Sequence, residues 1–163
     1  MLPKRLGKFN LTVAPEKTRL LRFSRFHPGM ARQITFLGFE FFWKEDRKGT
    51  PRVTRRRTAR KKFLAACARI KEWIKLNRHL RVRDFFRRLN LRLRGHYNYY
   101  GVRGNSRLLH RFFGWATQCA FKWLNRRGGK RSSDTWDRFA RVLDVVQIAR
   151  PRSTETSRWR MMA

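Results

Sequence analysis

Acidic residues are scarce in this chain: 10 Asp and Glu stand against 42 Lys and Arg in 163 residues, a formal charge of +32. Such a chain repels itself, and a dense polyanion relieves that repulsion while releasing its own condensed counterions. Nucleic acid is the partner this predicts. Acidic membranes and acidic proteins are the rivals, but for a membrane no apolar run approaches the roughly 20 residues of a bilayer span, and the first residues, Met1 to Arg5, lack the apolar stretch of a secretory signal. No membrane partner is therefore expected. The two cysteines, Cys67 and Cys119, stand far apart without CxxC spacing, which argues against a disulfide framework or a zinc site and for buried thiols. His27, His79, His96 and His110 fall in separate segments without an evident nucleophile or orienting carboxylate, so no catalytic residue is assigned.

What is present suffices for a core. The chain is 41% apolar and 14% aromatic, and its length suits one compact domain, alone or with an appended fragment. The predicted fold class is α+β: short N-terminal β-hairpins followed by a bundle of three to four helices. Residues 11–23 read as two extended segments around a turn at residues 14–17. Residues 34–43, rich in aromatic and β-branched types, read as one strand, residues 44–49 as a charged turn, and residues 50–54 as its return. Apolar residues then recur every three or four positions. Phe63, Ala66 or Cys67, Ile70, and Trp73 or Ile74 mark a helix over about residues 56–76. Phe85, Leu89, Leu93 and Tyr97 mark a second, capped by Asp84 and closed by Gly101. A third opens at Asn105 or Ser106 and runs to Gly128, and a short fourth covers about residues 135–145. Beyond Pro151 the composition predicts a polar, disordered tail. The boundaries that follow are residues 1–54, 55–127 and 128–163, the last a basic tail with one short helix.

Two basic features stand out. Arg55, Arg56, Arg57, Arg60, Lys61 and Lys62 put six cations in eight residues at an expected helix start, where the dipole disfavours positive charge. From Phe85 to Ser133 there is no Asp or Glu, and arginine outnumbers lysine, suiting a surface that pairs with phosphate and stacks on bases. Within that stretch Arg94, Asn98, Arg103, Asn105, Ser106 and Arg107, and at its end Arg126 and Arg127, are the candidate RNA contacts, with Asn105 or Ser106 alternatively a helix cap. Tyr97, Tyr100 and His96 read as core or structural residues.

The segment from Leu93 to Arg107, LRGHYNYYGVRGNSR, resembles the maturase-specific signature of group II intron-encoded reverse transcriptases, the region called domain X and equated with the polymerase thumb. Upstream, Pro15-Glu16-Lys17-Thr18 within residues 11–23 is similar to the strand-turn-strand late in the palm of bacterial members, and Phe36-Leu37-Gly38-Phe39 to the last palm block before the thumb. The resemblance covers nearly the whole chain. It implies that residues 1–54 are a palm remnant and residues 55–127 the thumb or maturase domain. It also implies a bacterial cytoplasmic protein that binds structured group II intron RNA, with an RNA/DNA duplex as a further ligand, and supports splicing and retrohoming.

The family's metal-binding aspartates would lie before residue 1, and no Asp-Asp pair occurs in this sequence, so polymerisation by this chain alone is not expected. No cofactor is expected in the chain; Mg²⁺ would belong to the intron RNA or to a missing palm polypeptide, itself a candidate partner. Three other readings stay open: a piece of a split or truncated reverse transcriptase, inactive alone; a non-selective nucleic-acid binder; and a degenerate fragment that folds poorly because its palm strands have lost the rest of their sheet.

Overall fold

The computed structural model describes residues 2–12, 14, 16, 23, 33–45, 51–127 and 133–154. Its elements run α1 (Leu2–Gly7), β1 (Gln33–Phe36), β2 (Phe39–Glu45), β3 (Pro51–Thr58), α2 (Arg60–Asn77), α3 (Val82–Tyr100), α4 (Ser106–Asn125) and α5 (Trp136–Val145). The class is α+β, a small antiparallel sheet of order β1-β2-β3 followed by a helical bundle. The extended pair expected over residues 11–23 falls largely outside the described residues.

The sheet departs from the expected one in two places. The apolar run at residues 34–43 is two strands, because Leu37 and Gly38 both take positive φ, 47° and 78°, and fold the chain into a two-residue hairpin turn. Gly38 adopts this freely, whereas Leu37 pays a steric cost. The second difference is the helix start. β3 continues to Thr58, and α2 begins at Arg60. Glu40 causes this. It lies opposite Arg57 in the β2–β3 register, accepts the Arg57 Nε–H at 2.7 Å, and accepts the Arg60 backbone N–H at 2.9 Å. One buried carboxylate thus holds the strand end and caps the helix, for which the local residue Ala59 offers no side-chain cap. The expected clash of six cations with one helix dipole becomes three, Arg60, Lys61 and Lys62, beside an anion.

The bundle forms because each helix carries one apolar stripe. Ala66, Cys67, Ile70 and Ile74 of α2 meet Phe85, Phe86, Leu89, Leu93 and Tyr97 of α3 and Leu109, Phe112, Ala116, Cys119 and Ala120 of α4. Each large side chain removed from water contributes about 1.5–3 kcal/mol before entropy is counted. Side-chain contacts fix the helix directions. The Trp115 indole donates to the Cys67 carbonyl at 3.1 Å, and Arg78 lies over Trp123 at 5.3 Å, so α2 and α4 run parallel. Trp73 stacks on Phe85, and His96 on Phe112, so α3 runs against both. Both cysteines are free and buried; burial first, then Cys119, pushes the Cys67 thiol up to about 11.

Asp84 does not cap α3. It sits in the first turn, 3.5 Å from Arg87, and Arg81 occupies the cap position without a side-chain bond. At the other end Gly101 has an ordinary negative φ of −73°; glycine is needed there for space. A Cβ would collide with the Tyr97 carbonyl and approach the Arg152 carbonyl to 2.9 Å. The expected disordered tail is therefore ordered at its start: Thr154 N–H donates to the Gly101 carbonyl at 2.8 Å, and Ser153 Oγ does so at 3.0 Å. The remaining tail, residues 155–163, lies outside the described residues. α5, capped by the Thr135 hydroxyl, adds Phe139 and Leu143 to the core, as does Ile148 beyond it. Among the described residues no helix is long and apolar enough to cross a membrane.

Candidate nucleic-acid interface

The two basic features of the sequence meet at one end of the bundle. The side chain of Asn105 joins the α3–α4 loop to the β3–α2 junction. Its Oδ1 accepts the Thr58 backbone N–H at 3.0 Å, and its Nδ2 donates to Thr58 Oγ1 and to the Tyr100 carbonyl, both at 2.8 Å. Thr58 and Asn105 are 2% and 1% exposed, so these bonds are shielded from water. Asn105 is thereby removed from the set of candidate RNA contacts. Nor does its side chain cap α4, which begins at Ser106. It is a buried clamp between segments 47 residues apart in sequence.

The clamp sets the cations of both segments side by side. Arg56 and Arg57 lie at the end of β3, and Arg55 precedes them opposite Phe42. Arg60, Lys61 and Lys62 fill the exposed first turn of α2, while Arg103, Ser106 and Arg107 are exposed on the loop and the start of α4. The backbone touches here too: a Cβ on Gly104, whose φ is +91°, would lie 3.6 Å from the Arg56 carbonyl. Ser106 also gives its carbonyl to the His110 ring at 2.8 Å. Arg94 and Asn98, one helical turn apart, are exposed on the side of α3 away from its buried stripe.

Around this cluster the acidic complement is small. Glu40 is committed to Arg57 and the helix start. Burial pushes its carboxyl up, but the Arg60 N–H and the Arg57 guanidinium more than offset this and hold it below its ordinary value. Three further ion pairs, Lys75–Glu72, Arg87–Asp84 and Arg150–Asp144, join side chains about half exposed or more, which contribute little to stability.

The aromatic residues of the signature divide by role. Tyr97 is 1% exposed and belongs to the core. His96 is stacked on Phe112 at 3.8 Å, and burial, with a smaller push from Arg69, lowers its pKa to about 4. It is neutral at pH 7. Tyr99 is 54% exposed and donates its hydroxyl to the Leu37 carbonyl at 2.9 Å, tying α3 to the hairpin turn. Beside it Phe39 stacks on Tyr99, and Phe36 and Leu37 remain exposed.

Arg126 and Arg127 are not brought to this cluster. They lie at the opposite end of α4, where they line a cavity with Arg78 and His79, residues that nothing in the sequence marks as RNA contacts. Arg111, one of the arginines of the acid-free run, lies over Phe63 at 5.9 Å, on the side of the α2 start. Only the acid-free run pointed to it. Among the described residues no group of three His, Cys, Asp or Glu side chains is arranged to hold a metal ion. No protein-family model, curated protein or solved structure matches the chain.

Proposed function

We propose that this protein binds structured RNA through the end of the bundle where the loop at residues 101–107 is clamped to the β3–α2 junction. The observation that carries the reading is the Asn105 clamp, which gathers two sequence-distant sets of cations onto one acid-poor surface. Closely packed phosphates repel one another and oppose RNA compaction. Guanidinium groups placed among them neutralise that repulsion, and their planar forks pair with phosphate oxygens. The exposed Phe36 and Tyr99 add π-faces on which unpaired bases can stack.

The resemblance of the Leu93 to Arg107 segment to the group II intron maturase signature narrows the ligand to a folded intron RNA, with support of splicing as the consequence. In this reading the chain contributes binding, and the chemistry of strand cleavage belongs to the RNA. Replacing Arg94, Arg103 and Arg107 together by Ala is predicted to weaken binding and to reduce the log-log salt slope by about 2 to 3 units, at ~0.7–0.9 per lost phosphate contact. An unchanged slope removes these residues from the interface. Competition of intron RNA against an unrelated duplex at physiological salt tests selectivity. Equal competition would leave only a charge-driven binder.

A further inference from the structure

A second basic feature lies where α2 and α4 end side by side. Arg78, His79, Arg126 and Arg127 line a cavity of about 470 Å³ there. Two of the three arginines are held in place: Arg78 and Arg126 lie over the Trp123 ring at 5.3 and 4.9 Å. The third, Arg127, donates through its guanidinium to the Leu80 carbonyl in the α2–α3 turn. None of the three takes part in an ion pair among the described residues.

The simplest alternative is that these arginines only neutralise the carbonyl ends of the two helices. The charges decide against it. Each helix C-terminus carries roughly −0.5 charge, so two ends offset about one of three guanidinium charges; Asp134, whose backbone pairs with the Asn125 side chain at the end of α4, offsets at most one more, and a surplus of about +1 to +2 is left. Aromatic stacking also orders the forks of Arg78 and Arg126 in advance, reducing the entropy lost on pairing with a phosphate.

We propose that this cavity is a second phosphate-binding site and that the protein grips one RNA at two points, here and at the Asn105-clamped cluster. The inference rests on the RNA-binding reading above. α4, 20 residues long, separates the two points by about 30 Å at 1.5 Å per residue. An A-form stem of roughly six base pairs is well short of that span, whereas one of roughly sixteen exceeds it.

The test compares two double variants of the full chain, R78Q/R126Q and R103Q/R107Q, and their combination, on both stems across a salt series. On the long stem each pair is expected to lower the slope by about 1.5 units, at ~0.7–0.9 per contact, and the combination by the sum. On the short stem either pair alone should have a smaller effect, because the stem moves to the intact site, and only the combination should abolish binding. The charge-preserving R78K/R126K variant should keep the slope, which separates lost contacts from lost folding. If R78Q/R126Q melts like the parent and binds the long stem with an unchanged slope while R103Q/R107Q does not, the second site is overturned and RNA binding at the first stands. If the parent retains neither stem, both fail. If inorganic phosphate at matched ionic strength and low millimolar concentration erases the contribution of Arg78 and Arg126, the cavity takes free phosphate, which also overturns the two-point grip.

Discussion

Replacing Asn105 by Ala tests the junction on which the interface depends. The substitution removes three hydrogen bonds and leaves the Thr58 N–H without its partner in a position almost closed to water, while the Tyr100 carbonyl keeps the Val102 N–H at 2.8 Å. At about 1 kcal/mol net per bond, with ~1–3 kcal/mol for a stranded buried donor, the loss comes to about 3–5 kcal/mol. That is a large share of the ~5–15 kcal/mol that separates folded from unfolded domains. For a chain of this size it corresponds to a fall in Tm of roughly 10 °C. Thermal melts followed by circular dichroism at 222 nm, with urea titration as a second probe, measure it. Asn105→Asp sharpens the test. It keeps the acceptor for Thr58 but loses both donors, so it is also destabilised near neutral pH and recovers in part in acid, where a protonated carboxyl regains one donor. A Tm for Asn105→Ala within about 2 °C of the parent would refute the clamp and, with it, the joining of the two basic segments.

Other outcomes follow from single sites. His96 is held neutral, with a folded pKa of about 4 against 6.5 unperturbed; the unfolded chain therefore binds the extra proton between those values. Stability should fall as pH drops from 6.5 toward 4, by at most about 1.4 kcal/mol per pH unit, and His96→Phe should flatten that part of a pH series of urea titrations. Glu40 has the same sign in a more acidic window: its lowered pKa gives stability that is present above the ordinary carboxylate value and lost as pH falls through the folded one. Glu40→Gln should cost about 1–3 kcal/mol at pH 7 and loosen the start of α2, seen as faster amide exchange at residues 60–63. Gly101→Ala places a Cβ against two backbone carbonyls that cannot give way cheaply. It should cost about 1–3 kcal/mol or more, and release residues 152–154 to proteolysis.

How much of this was legible in the sequence depended on the range of the interactions. The helices α3, α4 and α5 declare themselves through apolar residues at three- and four-residue spacing; Phe85, Leu89, Leu93 and Tyr97 of α3 are all buried, whereas Trp115 of α4 and Trp136 of α5 stay 41% and 46% exposed and Leu109, not Leu108, enters the core. The hairpin turn did not declare itself. Its first position is Leu37, a residue with no turn signature, and only Gly38 hinted at positive φ. The strand-to-helix boundary was misplaced by four residues because the cap of α2 is Glu40, 20 residues upstream, and no local cap marks Ala59. Asn105 carries the same lesson for the site. Before α4, an asparagine reads as a cap or an exposed contact, and nothing within the loop reveals that its partner is Thr58. The far-end cavity was half legible: Arg126 and Arg127 stood out, but Arg78 and His79 join them only because α2 and α4 run parallel.

The most direct measurement of the interface is a protection map. Lysine acylation and arginine modification would be quantified by mass spectrometry with and without a folded group II intron RNA at moderate ionic strength. The expected result is concerted protection of Lys61, Lys62, Arg103 and Arg107, rising together with RNA concentration, while Lys4 and Lys8 in the N-terminal segment stay reactive. Protection of one segment without the other, or uniform reactivity at saturating RNA, would contradict a single surface built across the Thr58–Asn105 contact.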